Sequence, residues 1–150
     1  LNVRGAPVGE SAWRLLEILA GLPTVVAATS ELFVPQMANL QLVNGVSFKK
    51  GCYPGQEIVA RMQYLGTLKR RMYLGRIETD EPAAPGDALF TGADGEQAVG
   101  RIVDAQPHPD SGQAALAVIQ ITAAERSSLH LGSSGGAAFT LGTLPYSFES

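Results

Sequence analysis

Residues 98–121 read AVGRIVDAQPHPDSGQAALAVIQI, and the fold turns on how this stretch is read. Two short apolar runs, 98–105 and 114–121, flank a segment from Pro107 through Gly112. Proline fixes φ and glycine tolerates positive φ, so such a segment turns the chain and separates the two runs. The pattern is that of two strands with a turn between them. Outward from this pair, residues 72–77 alternate at period two, and further short strand candidates lie at 88–91 and 137–141. Asp94-Gly95 is a second turn, and residues 122–131 leave room for a helical turn between strands. Several short strands with this punctuation predict a small antiparallel barrel or sandwich.

Upstream the texture is α/β. Residues 11–20 read as an amphipathic helix, with Ser11 as N-cap. Trp13, Leu16, Leu19 and Ala20 recur at helical spacing, Arg14 and Glu17 mark the polar side, and Trp13 is expected in the core. Gly21 and Pro23 end the helix. Residues 24–28 are a short apolar run read as a strand, and Pro35 interrupts any regular element after it. Asn44-Gly45 predicts a turn leading into a strand at 46–48. Two glycines and a proline between Gly51 and Gly55 define a constrained turn. A second helix follows over 56–65, with Ile58, Val59, Met62 and Leu65 on one face and Gly66 closing it. The change of texture places a boundary near 66–70, dividing the chain into 1–67 and 68–150.

Composition removes several classes. At 150 residues, 45% hydrophobic and 17% charged, the chain is too apolar and too weakly charged to be disordered. One cysteine cannot build a disulfide scaffold or hold an iron–sulfur cluster without outside ligands. No apolar run approaches the roughly 20 residues that span a bilayer. His108 and His130 lack metal-ligand spacing, so no metal site is expected. No phosphate-binding glycine loop and no local hydrolase signature is present. The chain opens on Leu1-Asn2-Val3-Arg4-Gly5 and reads as part of something longer. A single free cysteine and no leader fit a reducing cytoplasm.

Charge is unevenly placed. The net charge is −3, yet between Lys49 and Arg76 seven basic side chains face Glu57 alone. An acidic protein with one basic segment suggests a local anion site, and a solvated basic face is the plain alternative. Cys52 lies within this segment, just before the second helix and close to Lys49 and Lys50. Helix N-termini and ammonium groups favour a thiolate over a thiol, so Cys52 is a candidate nucleophile. The alternative is a buried small hydrophobe. The same turn suits a carboxylate or phosphate, with Gly51 and Gly55 permitting close approach and Lys49 or Lys50 as counter-ion. Glu57 is a candidate acid/base or hydrogen-bond partner, or simply a first-turn carboxylate.

The stretch Lys49-Lys50-Gly51-Cys52-Tyr53-Pro54-Gly55-Gln56-Glu57 resembles the K-G-C-Y-x-G-Q-E signature of the YgfZ family, folate-binding proteins related to the T-protein of glycine cleavage. The resemblance extends upstream through Phe33-Val34-Pro35-Gln36-Met37-Ala38-Asn39-Leu40. Downstream it runs through Val59-Ala60-Arg61, Lys69-Arg70 and Leu144-Pro145-Tyr146-Ser147. It implies an α+β chain: the C-terminal part of a ferredoxin-like folate-binding region over 1–67, then a small antiparallel β-barrel over 68–150. It implies tetrahydrofolate or a derivative as cofactor, with Lys49, Lys50, Gly51, Tyr53, Gly55, Gln56, Glu57 and Arg61 around it and Cys52 as the reactive thiol. Phe33 and Met37 join Tyr53 and Glu57 as candidates to face the pterin. The implied role is support of iron–sulfur enzyme assembly or repair, including enzymes that thiolate tRNA, with those proteins as partners and no membrane. A folate-dependent aminomethyltransferase is the second reading, although such enzymes carry a different pattern where this chain has Gly51-Cys52-Tyr53. An RNA-binding module using Lys49, Lys50 and Lys69 to Arg71 ranks last, because the segment shows no clustered aromatics.

Overall fold

The computed structural model describes residues 7–92 and 97–148, and in it six antiparallel strands close into a barrel. In chain order these are β1 (Arg70–Ile77), β2 (Ala88–Thr91), β3 (Gly100–Pro107), β4 (Gln113–Gln120), β5 (Leu129–Leu131) and β6 (Ala138–Leu141). The order around the barrel is β1-β4-β3-β2-β5-β6, with β6 pairing back to β1. The stretch quoted first forms the β3–β4 hairpin, whose turn closes with the His108 N–H donating to the Gly112 carbonyl at 2.9 Å. The Asp94-Gly95 turn and the opening at Leu1 to Gly5 lie outside the described residues.

Strand period two explains the core. Ile77, Leu89, Ile102, Ile119, Leu129 and Phe139 fill the barrel together with small alanines of β3 and β4. Gly75 lies on the same inward row of β1. A Cβ there would overlap the Phe139 ring, so the absent side chain makes room for the aromatic one. β4 is apolar at nearly every position rather than alternating because both of its faces are covered. Ala115, Ala117 and Ile119 point inward, while Ala114, Leu116 and Val118 lie beneath a helix.

That helix is α1 (Glu10–Leu19). Ile18 is fully buried against Met72, Val103, Leu116 and Val118, with Leu15 half-buried beside it. The expected period holds but the expected face does not. Trp13 is 62% and Leu16 58% exposed, so Trp13 is not in the core. Apolar residues lie on two sides of this helix, and burial alone does not choose between them. A β-bulge at Val103 makes the choice. The extra residue in β3 turns both Val103 and Asp104 outward. Asp104, 3% exposed, then takes the Arg14 guanidinium at 2.8 Å and draws the supposed polar side of α1 onto the barrel. The N-cap is Gly9 rather than Ser11, with no side-chain cap.

Other boundaries shift for local reasons. Residues 24–28 form no strand; a 3-10 turn occupies Ala27–Thr29. Asn44 adopts left-handed φ of 58°, and the Gly45 N–H donates back to the Leu40 carbonyl at 2.7 Å. The Asn44-Gly45 turn thus closes a run of helical turns, and residues 46–48 pair with no strand. Within 122–131 the chain makes α3 (Ile121–Arg126) and then β5. The second helix, α2 (Gln56–Leu65), has the expected span, but only Val59 of its apolar side is buried. Ile58 is 60% and Leu65 84% exposed.

Candidate functional site

The signature segment forms the turn before α2 and the first residues of that helix. Gly55 caps α2 with φ of 83°, a conformation that costs an L side chain roughly 1 kcal/mol or more and a glycine nothing. The Gln56 N–H donates to the Tyr53 carbonyl at 3.1 Å, and the Val59 N–H to the Gly55 carbonyl at 3.4 Å. Cys52 stands ahead of this turn and is exposed, which removes the reading of it as a buried hydrophobe. The Lys50 ammonium lies over the Tyr53 ring, 4.6 Å from its centroid, a cation–π contact.

Lys49, Lys50, Gly51, Gly55, Glu57 and Arg61 are exposed, and Tyr53 and Gln56 half-buried. Glu57 and Arg61 lie four residues apart on one face of α2. Gly51 differs from Gly55 in what it needs. Its φ is not positive, and a Cβ there would meet nothing within 4 Å. Neither backbone conformation nor packing asks for glycine at 51.

Two buried amides, neither given a role by the sequence, tie this lobe together and to the barrel. Gln36, 1% exposed, donates from Nε2 to the Val59 carbonyl of α2 at 2.6 Å. Asn39, fully buried, donates from Nδ2 to the Met72 carbonyl of β1 at 2.8 Å. The Gln36 Oε1 and Asn39 Oδ1 atoms are buried and have no protein partner. Phe33 and Met37, the expected pterin walls, are half-buried against the cluster around Ile18 and Met72. The fold therefore gathers Lys50 with Tyr53 and aligns Glu57 with Arg61, while Phe33 and Met37 serve the packing under α1. The signals for Gln36 and Asn39 in the sequence are their place in the Phe33 to Leu40 stretch of the resemblance and a pair of amides among apolar neighbours.

Electrostatic perturbation is concentrated elsewhere. Hydrogen bonding and attraction from Asp104 push the Arg14 pKa further up. Burial raises the phenols of Tyr146 and Tyr73; the hydrogen bond from Asn39 and the charge of Arg71, respectively, oppose it in part. A groove of about 390 Å³ lies beside Arg14, Asp104 and Gln113. Another of about 570 Å³ is lined by Lys69, Arg70, Gln120 and Thr122. Among the described residues no group of three His, Cys, Asp or Glu side chains gathers as a metal-ligand set, and no helix is long and apolar enough to cross a membrane.

No protein-family model matches the chain. Curated relatives do. It is 38% identical over 137 residues to the tRNA-modifying protein YgfZ of Colwellia psychrerythraea, an alignment covering 91% of this chain and 42% of that protein. The protein of the same name from Photobacterium profundum is 38% identical over 138 residues, with the same two coverages. That from Sodalis glossinidius is 37% identical over 135 residues, 89% of this chain and 41% of the relative. The chain thus spans about two fifths of the length of the curated relatives it matches. With that identity sustained over nine-tenths of its residues, the chain is of the YgfZ type and corresponds to a C-terminal portion of such a protein.

Proposed function

We propose that this chain is the C-terminal portion of a cytoplasmic, folate-binding accessory protein that supports iron–sulfur cluster assembly or repair, including in enzymes that thiolate tRNA. In this reading residues upstream of the barrel are the end of a ferredoxin-like folate-binding region, and Cys52 is the reactive group. The observation that carries the reading is the exposure of Cys52 within the Lys49 to Glu57 signature, in a chain whose relatives are named tRNA-modifying. The accessible thiol can meet a partner protein without any opening of the fold.

The described residues fit one part of a folate. Its glutamate tail carries carboxylates, and Lys49, Lys50 and Arg61 are exposed cations on one lobe. Open space above Gly51 lets such a group approach the backbone. For the pteridine ring they leave only Tyr53 and Glu57, because Phe33 and Met37 are committed to the cluster under α1, and these two alone do not enclose it. No chemical step is therefore assigned through the cofactor. What this chain supplies is charge to hold an anionic tail and a thiol presented to solvent.

Complementation tests the role. A strain lacking its own YgfZ protein, supplied with a YgfZ-length protein carrying this chain, is expected to recover thiomethylated tRNA. The Cys52→Ala form should fail to do so while melting within about 2 °C of the parent, as an exposed side chain should. Full recovery by Cys52→Ala sinks the assignment of the thiol. Calorimetric titration with a reduced folate checks the ligand separately, and Gly51→Ala should weaken that binding without loss of stability.

A further inference from the structure

Nucleic-acid contact ranks low on the sequence because the basic segment shows no clustered aromatics. Folding changes that premise. Phe48 and Tyr64 meet edge to face with ring centroids 6.3 Å apart. Tyr64 is nevertheless 72% exposed, so much of its ring is open to solvent. Lys49 and Lys50 follow Phe48 directly and are exposed. Lys50 sits over a second ring, that of Tyr53. Arg61 is exposed and precedes Tyr64 by one helical turn, so the two share a face of α2. Three cations and three aromatic rings thus occupy one lobe, and Glu57 is the single acidic side chain in the segment.

We propose that this surface binds single-stranded RNA, with a base stacked on Tyr64 and phosphates held by Lys49, Lys50 and Arg61. The chemistry is that of a stacking platform beside a basic track. Every base has a π face, and a ring steadied by an edge-on neighbour loses little freedom when a base settles on it. A duplex keeps its bases stacked internally and offers only its backbone. An acidic protein surface would use the cations and leave the ring idle. The names of the curated relatives make RNA the relevant polyanion. The inference shares Lys49, Lys50 and Arg61 with the folate-tail reading but does not rest on it, since Tyr64 carries the base and neither Cys52 nor a reduced folate takes part.

Fluorescence anisotropy of an unstructured ten-nucleotide RNA, titrated with the whole chain between 50 and 200 mM salt, tests it. Binding is expected at the lower salt. Its logarithmic salt slope should be about −2, from three cations at roughly 0.7 each on a single strand. Tyr64→Ala should weaken binding about tenfold with the slope unchanged, and Tyr64→Phe should restore it. Lys50→Glu should lower both affinity and slope. These side chains are exposed, so melting curves should stay with the parent's and separate lost binding from lost folding. The proposal is overturned by no binding at 50 mM salt, by equal affinity of Tyr64→Ala, or by equally tight binding of a matched duplex or of polyglutamate.

Discussion

Asn39 and Tyr146, 107 residues apart, share a hydrogen bond in which the amide Nδ2 donates to the phenol oxygen at 3.3 Å. The phenol in turn donates to the Gly21 carbonyl at 2.8 Å, and the same amide donates to the Met72 carbonyl. One contact therefore ties the chain just after α1, the segment around residue 39, strand β1 and the chain beyond β6. Tyr146→Phe should cost about 1 to 2 kcal/mol in denaturant unfolding, from the lost hydroxyl contacts. The phenol also sets a pH response. Burial raises its folded pKa above the unfolded value of about 10. Below that value the contribution is complete. As pH rises through it, the unfolded chain releases its proton first, so stability falls until the folded phenol ionises too. Tyr73, raised by burial, adds to the same fall. Stability measured from pH 8 to 11 should decline above about 10, less steeply in Tyr146→Phe. A flat profile in the parent would contradict the assignment.

Asp104 to Arg14 is the contact that orients α1. Asp104→Ala leaves a partly buried guanidinium without its acceptor and should cost about 2 kcal/mol, that of a charged hydrogen bond. Arg14→Met in the same background should recover part of the loss, because it removes the charge left behind. If the double variant is less stable than Asp104→Ala alone, the pair does not act this way.

The direction of α1 can be checked with two leucine-sized residues. Ile18 is fully buried and Leu16 is 58% exposed. Ile18→Ala should destabilise by about 2 to 5 kcal/mol. Leu16→Ala should stay within about 0.5 kcal/mol of the parent. Reversed magnitudes would restore the face expected from the sequence.

Gly75 and Phe139 fit one another inside the barrel. Gly75→Ala should cost about 1 to 3 kcal/mol through overpacking. Phe139→Leu has its own cavity cost, yet adding it to Gly75→Ala should be less harmful than the two single losses combined. A double-mutant cycle reads that coupling, and strict additivity would show that the two do not touch.

The barrel was legible because its signals are local. The run 114–121 and the turn before it needed only apolar content and the constraints of proline and glycine. β5 was not legible, since three residues carry too little periodicity to be separated from the helical turn ahead of them. The inward face of α1 was hidden for a different reason: it depends on a bulge that turns Asp104 outward, ninety residues from Arg14. The site shows the same division. Gly55 and the start of α2 follow from backbone preferences, whereas the meeting of Phe48 with Tyr64 and the anchoring by Gln36 exist only once the chain has folded.

Because β6 pairs back to β1 over Gly75–Ile77, each of the six strands has a neighbour on both sides for part of its length. Among the described residues no strand is left as a wholly free ribbon for another polypeptide to zip onto, which disfavours growth by added strands. A polypeptide visiting the barrel is therefore recognised chiefly by what protrudes from it rather than by the peptide framework. Point changes at the surface can therefore alter the company this chain keeps while leaving its architecture as it was.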